Sequence, residues 1–213
     1  LKKSLRRSVF CDFDGTITSQ ETLSGMANSL VPDMVKEIVP ELVARRMTLR
    51  EGVRRMVEAI PSSRYGEIIE YVMSVPIRPG LEDLLEFLAS HNVPFIIISG
   101  GLRGMVEARL GPIAKLVHSI YALDVDTGGE YIKIIAPFEG ETELMDKTRI
   151  IAQYPADEII SIGDGYTDIK MSLNSHIVFA RDVLASNLKK MGKDYIPWND
   201  FFDIQRELAD RWR

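Results

Sequence analysis

The chain has 213 residues, 46% of them apolar and 27% charged, and its 26 Lys and Arg against 31 Asp and Glu leave a net charge of −5. A chain of this length holds one cored domain, or a core with a smaller insert, and this composition excludes disorder, collagen-like repeats and a disulfide scaffold. The acidic balance argues against nucleic acid or an anionic membrane as partner, since both recruit a basic footprint.

Taken in chain order, the start, Leu1-Lys2-Lys3-Ser4-Leu5-Arg6-Arg7, is basic but lacks the apolar segment and cleavage site of a secretory signal, and reads as a solvated arm. Val9-Phe10-Cys11 is a strand that stops at Asp12-Phe13-Asp14-Gly15-Thr16, where small and acidic residues break the apolar run. The stretch from about Ile17 to Ile77 has no strand run, and Met34, Val35, Ile38, Val39 and Leu42 recur at helical spacing, so it is a helical insert. Its hinges fall just after Thr16 and at Pro76 to Gly80. Leu81, Leu84, Leu85 and Leu88 mark a helix that ends near Asn92. Pro94-Phe95-Ile96-Ile97-Ile98 is a second strand, running into Ser99-Gly100-Gly101, and residues 122–134 form a hairpin around Gly128-Gly129. Thr148 to Ala152 and Asp168 to Leu173 supply short helices. Two further strands, Glu158 to Ile162 and Ile177 to Phe179, run into Gly163-Asp164-Gly165 and Ala180-Arg181-Asp182.

Uninterrupted apolar strands alternating with helices predict a doubly wound, Rossmann-like parallel α/β core, residues 1–16 and 79–213, carrying an all-helical insert at 17–78. No apolar stretch approaches the roughly 20 residues that span a bilayer. The single Cys11 cannot form an internal disulfide, which suits the reducing cytoplasm. His91, His118 and His176 are scattered and read as structural.

The chemistry gathers at the predicted strand ends. Asp12 and Asp14 offer a carboxylate nucleophile and a second carboxylate to handle a proton, a pairing suited to attack on phosphorus. Close carboxylates repel and need a cation; Mg²⁺ takes oxygen ligands from one or two carboxylates, and Asp164 is placed to complete its shell. Ser99 and Gly100 offer a hydroxyl and backbone N–H groups to an anion, and Lys147 a balancing charge.

The ordered set Asp12-Phe13-Asp14-Gly15-Thr16, Ser99-Gly100-Gly101, Lys147 and Gly163-Asp164-Gly165-Tyr166-Thr167-Asp168 resembles the four motifs of the haloacid dehalogenase superfamily. The resemblance implies Asp12 as nucleophile and Asp14 as general acid and base. It implies Mg²⁺ on the Asp12 side chain, the Asp14 carbonyl and Asp164, phosphate on Ser99, Gly100 and Lys147, and Asp168 supporting Lys147. An acid at Asp14 points to a phosphatase or phosphomutase, and the insert corresponds to the mobile cap that chooses the substrate, a small phosphorylated metabolite.

Two branches of the superfamily bear on the substrate. Glu21 and the hairpin resemble phosphoserine phosphatases, but Met56 and Thr167 stand where that branch has Arg and Asn. The segment Glu51-Gly52-Val53-Arg54-Arg55-Met56, Thr167-Asp168 and the Phe179-Ala180-Arg181-Asp182 tail are similar to phosphatases of 2-hydroxy-3-keto-5-methylthiopentenyl-1-phosphate in methionine salvage, without that branch's longer cysteine-rich segment before the motif Lys. Glu21, Arg54 and Arg55 are therefore the candidate substrate residues of the insert, in a monomer or homodimer. From another class, a receiver-type phosphoacceptor module also clusters acids, a hydroxyl and Lys at strand ends, but needs neither Asp14 nor a long insert.

Overall fold

The computed structural model describes residues 6–213. Among these, the strands β1 (Arg7–Cys11), β2 (Phe95–Leu102), β3 (Ser119–Asp126), β4 (Lys133–Ile135), β5 (Glu158–Gly163), β6 (Ile177–Ala180) and β7 (Ile196–Pro197) form one sheet in the order β4-β3-β2-β1-β5-β6-β7. All neighbours pair in parallel except β3 and β4. The six strands of the parallel part, numbered along the chain, stand in the Rossmann order 3-2-1-4-5-6. The winding therefore reverses beside β1, and the crevice of such a sheet opens at the carboxyl ends of the strands there. Val9, Phe10, Cys11, Ile96, Ile97, Ile98, Ile160 and Ile162 are completely buried, as expected of central strands covered on both faces.

The helices are α1 (Thr22–Leu30), α2 (Pro32–Val43), α3 (Leu49–Glu58) and α4 (Tyr65–Ser74) in the insert, then α5 (Leu81–Ser90), α6 (Arg103–Leu110), α7 (Lys147–Ile151), α8 (Ile169–Leu173), α9 (Asp182–Met191) and α10 (Phe201–Arg211). The Leu81, Leu84, Leu85 and Leu88 stripe of α5 is buried, and the helix packs on α10, which buries Phe201, Ile204 and Leu208. The insert leaves and rejoins the core at one place. Thr18 and Ile77 form an antiparallel bridge, the Ser19 N–H donates to the Pro76 carbonyl at 2.9 Å, and the Arg78 N–H to the Ile17 carbonyl at 2.9 Å. Within the insert, Thr48 caps α3 by a reciprocal box: its hydroxyl accepts from the Glu51 N–H at 3.2 Å and its own N–H donates to the Glu51 carboxylate at 2.9 Å. A second attachment joins the α3–α4 turn to the hairpin, through Ser62 N–H to Glu130 carbonyl at 2.9 Å and Ile132 N–H to Ile60 carbonyl at 3.0 Å.

Several sequence expectations are corrected. The second strand does not stop at Ile98: it continues through Ser99-Gly100-Gly101 to Leu102, with a register shift between Ile98 and Leu102. The hairpin is present, but its first strand is also a parallel partner of β2, a long-range pairing that alternation cannot reveal. The two-residue strand β7 is too short to leave a sequence signal. Of the proposed basic arm, residues 1–5 lie outside the described residues. Arg7 already belongs to β1, pairing with Glu158 at 2.8 Å and lying over the Trp212 ring. No helix among the described residues is long and apolar enough to cross a membrane.

Leu84→Ala should cost about 2–5 kcal/mol, because the side chain is fully buried in the core and the void would close only in part. A fall in the urea midpoint with an unchanged m-value checks it.

Candidate active site

Asp12 follows the last residue of β1, and its N–H donates to the Ile162 carbonyl of β5 at 3.0 Å, so the first carboxylate is held at the reversal of the sheet. The turn beyond it is fixed by Gly15, whose φ is +79° and where a Cβ would lie 2.5 Å from the Asp164 carboxylate; no other residue type fits without displacement. Asp164 stands just beyond the end of β5, and Lys147 opens α7, whose start is capped by the Asp146 carboxylate accepting from the Thr148 N–H at 3.0 Å.

The Lys147 ammonium donates to Asp12 Oδ1 and, at 2.6 Å, to Asp168 Oδ1. Asp168 Oδ2 accepts from the N–H groups of Asp164 at 3.0 Å and Gly165 at 2.9 Å. Asp168 is thus spent on fixing its neighbours. Asp12, Asp164 and Asp168 each bring an oxygen within 4.8 Å of the others, and all three are buried. One ammonium cannot balance these carboxylates. Burial, followed by the charge of Asp168, pushes the Asp12 carboxyl well above the usual range even though Lys147 pulls it down. Burial likewise raises Asp164 to about 6 against the hydrogen bond from Thr16 Oγ1. For Lys147, burial favours loss of the proton, but Asp12 and Asp168 outweigh it and hold the ammonium charged.

Asp14 stands apart from that triad. Its Oδ1 accepts from the Thr22 hydroxyl and its Oδ2 from the Ser99 hydroxyl at 3.1 Å; burial raises its pKa and these two donors oppose the rise. The Ser99 hydroxyl in turn accepts from the Gly101 N–H at 2.8 Å, and a Cβ on Gly101 would come within 2.7 Å of Asp14. Two carboxylates two residues apart therefore sit in different settings: Asp12 faces a cation, whereas Asp14 faces hydroxyls.

A cavity of about 370 Å³ lies above this floor and is lined by Asp12, Asp14, Gly100 and Lys147 together with Glu21 and several residues of the insert. Glu21 borders the open space of the cavity, yet the protein around it, then Asp14 and Asp164, push its carboxyl up to about 8. The sequence-derived candidates Arg54 and Arg55 are not among the lining residues. Arg54 turns to the hairpin side, pairing with Glu139 at 2.6 Å and Glu58 at 3.4 Å, and Arg55 pairs with Glu37 at 2.7 Å on the outer surface. The α3 face toward the cavity is instead that of Leu49, Val53 and Met56. Cys11 is buried, its thiol donating to the Asp12 carbonyl at 3.1 Å.

Sequence reading assigned no supporting role to three residues, although Thr16 stands within the first motif. Thr22 reaches Asp14 from the first turn of α1; a helix-start Thr carries no signal of so distant a partner. Thr16 holds Asp164 through its hydroxyl. Arg78 donates to the carbonyls of Thr16 at 3.0 Å and Gly15 at 2.9 Å, tying the second hinge to the carboxylate turn. Its position between Ile77 and Pro79 in the hinge was the one available clue.

Residues 9–172 match the haloacid dehalogenase-like hydrolase family. The chain is 47% identical over 210 residues to the 2-hydroxy-3-keto-5-methylthiopentenyl-1-phosphate phosphatase of Microcystis aeruginosa (strain NIES-843 / IAM M-2473), covering 97% of this chain and all of that protein. It is 31% identical to the enzyme of the same name from Bacillus cereus (strain ATCC 10987 / NRS 248), with 94% of each chain covered. Among solved structures, a substrate-bound phosphoserine phosphatase superposes with a TM-score of 0.70 at 17% identity, covering 96% of this chain and 99% of the other. A phospho-aspartyl intermediate analogue of phosphoserine phosphatase gives 0.67 at 18%, with the same coverage. At these identities the solved structures speak for the fold.

Lys147→Met should destabilise the protein by about 3–5 kcal/mol, since it strands two buried carboxylates. Adding Asp168→Asn should recover part of the loss, and urea unfolding of the two single variants and the double variant measures the coupling.

Proposed function

Because the chain belongs to the haloacid dehalogenase-like hydrolase family and is a phosphatase, we propose that it hydrolyses a small phosphate monoester at Asp12 through an aspartyl-phosphate, in a core of residues 1–16 and 79–213 capped by 17–78. The observation that carries this reading is the division of labour between the two carboxylates, Asp12 beside Lys147 and Asp14 between Thr22 and Ser99.

Asp12 attacks phosphorus, the bond to the ester oxygen breaks, and Asp14 gives its proton to the departing alcohol. A water then attacks the phosphorus of the acyl phosphate, Asp14 takes its proton, and phosphate leaves with Asp12 restored. Gly100 and Lys147, which line the cavity, hold the phosphate oxygens, while the fully buried Ser99 hydroxyl, expected from the sequence to bind phosphate, is given to Asp14 instead. The raised pKa of Asp14 suits a group that must carry a proton into the first step. Thr22 links that proton carrier to the insert, so seating of the insert and orientation of Asp14 go together.

The donor set is made of oxygen atoms alone, and its acids outnumber the one ammonium, which fits a hard divalent cation. Asp12, Asp164 and the Asp14 carbonyl would hold Mg²⁺, with Asp168 as support. When bound, the ion would neutralise charge on the transferred phosphoryl group.

As substrate we propose 2-hydroxy-3-keto-5-methylthiopentenyl-1-phosphate, in the cytoplasm. The relatives that carry this name match the chain along nearly its whole length. Phosphoserine is disfavoured by the position of Arg54 and Arg55, neither of which lines the cavity.

Asp12→Asn should lower phosphate release by at least about three orders of magnitude. Substantial remaining turnover would remove Asp12 as nucleophile. In a side-by-side release assay, the methylthiopentenyl phosphate should be cleaved faster than phosphoserine, and chelation followed by readdition of Mg²⁺ should abolish and then restore the activity.

A further inference from the structure

The four helices of the insert are fastened unequally. Met26 and Leu30 of α1, Val53 and Val57 of α3, and Ile68 and Val72 of α4 all belong to the continuous hydrophobic core, whereas among the described residues α2 contributes none to it. Ile38 is the one buried residue of α2. It rests on α3 at Gly52, where a Cβ would lie 3.1 Å from Ile38 and 2.9 Å from Leu42. The Glu37–Arg55 ion pair at 2.7 Å is a second link to α3, but both side chains are exposed, and such a pair holds weakly.

The other three helices are tied to the core well away from the hinges. The Arg50 N–H donates to the Thr142 carbonyl at 2.8 Å, and the Ile134 N–H of β4 to the Glu58 carboxylate at 3.1 Å. Pro61 and Tyr131 form an antiparallel bridge between the α3–α4 turn and the hairpin. The helix α1 is held at both ends, by Thr22 on Asp14 and by Arg64, whose guanidinium donates to the Leu30 carbonyl at 3.1 Å. A swing of the whole insert about its hinges breaks these contacts and draws core side chains into water. Release of α2 alone breaks none of them.

Both ends of α2 suit a pivot, since hinges are a few terminal residues that absorb the backbone change. A single residue, Val31, with φ −136° and ψ 53°, separates it from α1. The segment 44–48 that follows it carries Arg45 at φ +56°, a conformation uncommon outside glycine. Pro40 also removes one N–H donor from inside the helix.

We propose that α2 alone is the lid of the cavity. It pivots between Val31 and residues 44–48 and lifts Val35, Val39 and Leu42 from the cavity wall, while α1, α3 and α4 stay with the core. The mobile cap expected from the sequence is thereby reduced to one helix. This goes beyond the phosphatase reading and does not depend on it, because it concerns how the cavity opens.

The single cysteine, Cys11, is buried, so introduced cysteines can carry nitroxides or close disulfides. Pulsed dipolar spectroscopy should give a broad or two-component distance for Val43→Cys with Lys190→Cys, and one narrow distance for Ser63→Cys with Lys190→Cys; all three sites are exposed. Two broad distributions, as a swing of the whole insert gives, or two narrow ones overturn the proposal. Pro61→Cys with Tyr131→Cys locks the insert to the hairpin, because the two residues are a non-hydrogen-bonded antiparallel pair, whose Cα atoms stand about 4.5 Å apart, within disulfide range. Release of phosphate from the methylthiopentenyl ester should stay within about twofold of that of the reduced form, and a larger loss, reversed by reductant, overturns the proposal. Ile38→Cys with Gly52→Cys locks α2 to α3 and should slow release at least about tenfold until reduced; unchanged turnover overturns the proposal. If that pair does not fold or close, the two distances and the hairpin lock decide. No turnover by the wild-type protein would defeat the phosphatase reading, and the distances would still decide the lid.

Discussion

Asp12, Asp164 and Asp168 crowd around a single buried ammonium, and most of the local architecture follows from that imbalance. Buried carboxylates survive only when each has a partner. Asp168 is satisfied by Lys147 and two backbone N–H groups, and Asp164 takes a hydroxyl from Thr16. What remains uncompensated is negative charge on oxygen atoms at the cavity floor. A buried cluster of oxygen ligands with this excess of acids is of the kind that can hold a divalent cation.

The sheet makes such crowding possible. Residues that meet at the floor come from positions as far apart as 12, 99, 147 and 164: Asp12 and Asp164 follow the carboxyl ends of the adjacent parallel strands β1 and β5, Ser99 lies within β2, and Lys147 comes from the start of α7. Rigid strands hold the charges near one another at no further cost in chain entropy, so repulsion is borne by the whole core rather than by a loop.

The insert is bound to this site at several levels. Its hinges form an antiparallel bridge, Arg78 grips the carbonyls of the carboxylate turn, and Thr22 touches Asp14. A second anchorage to the hairpin steadies α3 and fixes which of its faces looks inward. Acids and Lys147 therefore form the floor of the cavity, while the insert contributes apolar faces of α2 and α3 to its wall.

Much of this was legible in the residue order. Apolar runs that break at Asp12, Ser99 and Asp164, the Leu stripe at 81–88 and the strandless region 17–77 marked the elements and the reactive groups, because burial on both strand faces and helical periodicity are local patterns. Other features were decided only by tertiary structure. Which side of α3 faces the cavity depends on its docking to Glu139 and the hairpin, so adjacent Arg54 and Arg55 looked like substrate residues while Met56 was the one that reached it. The continuation of β2 through Ser99 to Leu102, the pairing of β3 with β2 and the grip of Arg78 all depend on partners tens of residues away. Chemistry that needs particular residue types is written in the sequence, whereas orientation, set by packing between distant segments, exists only once the chain has folded.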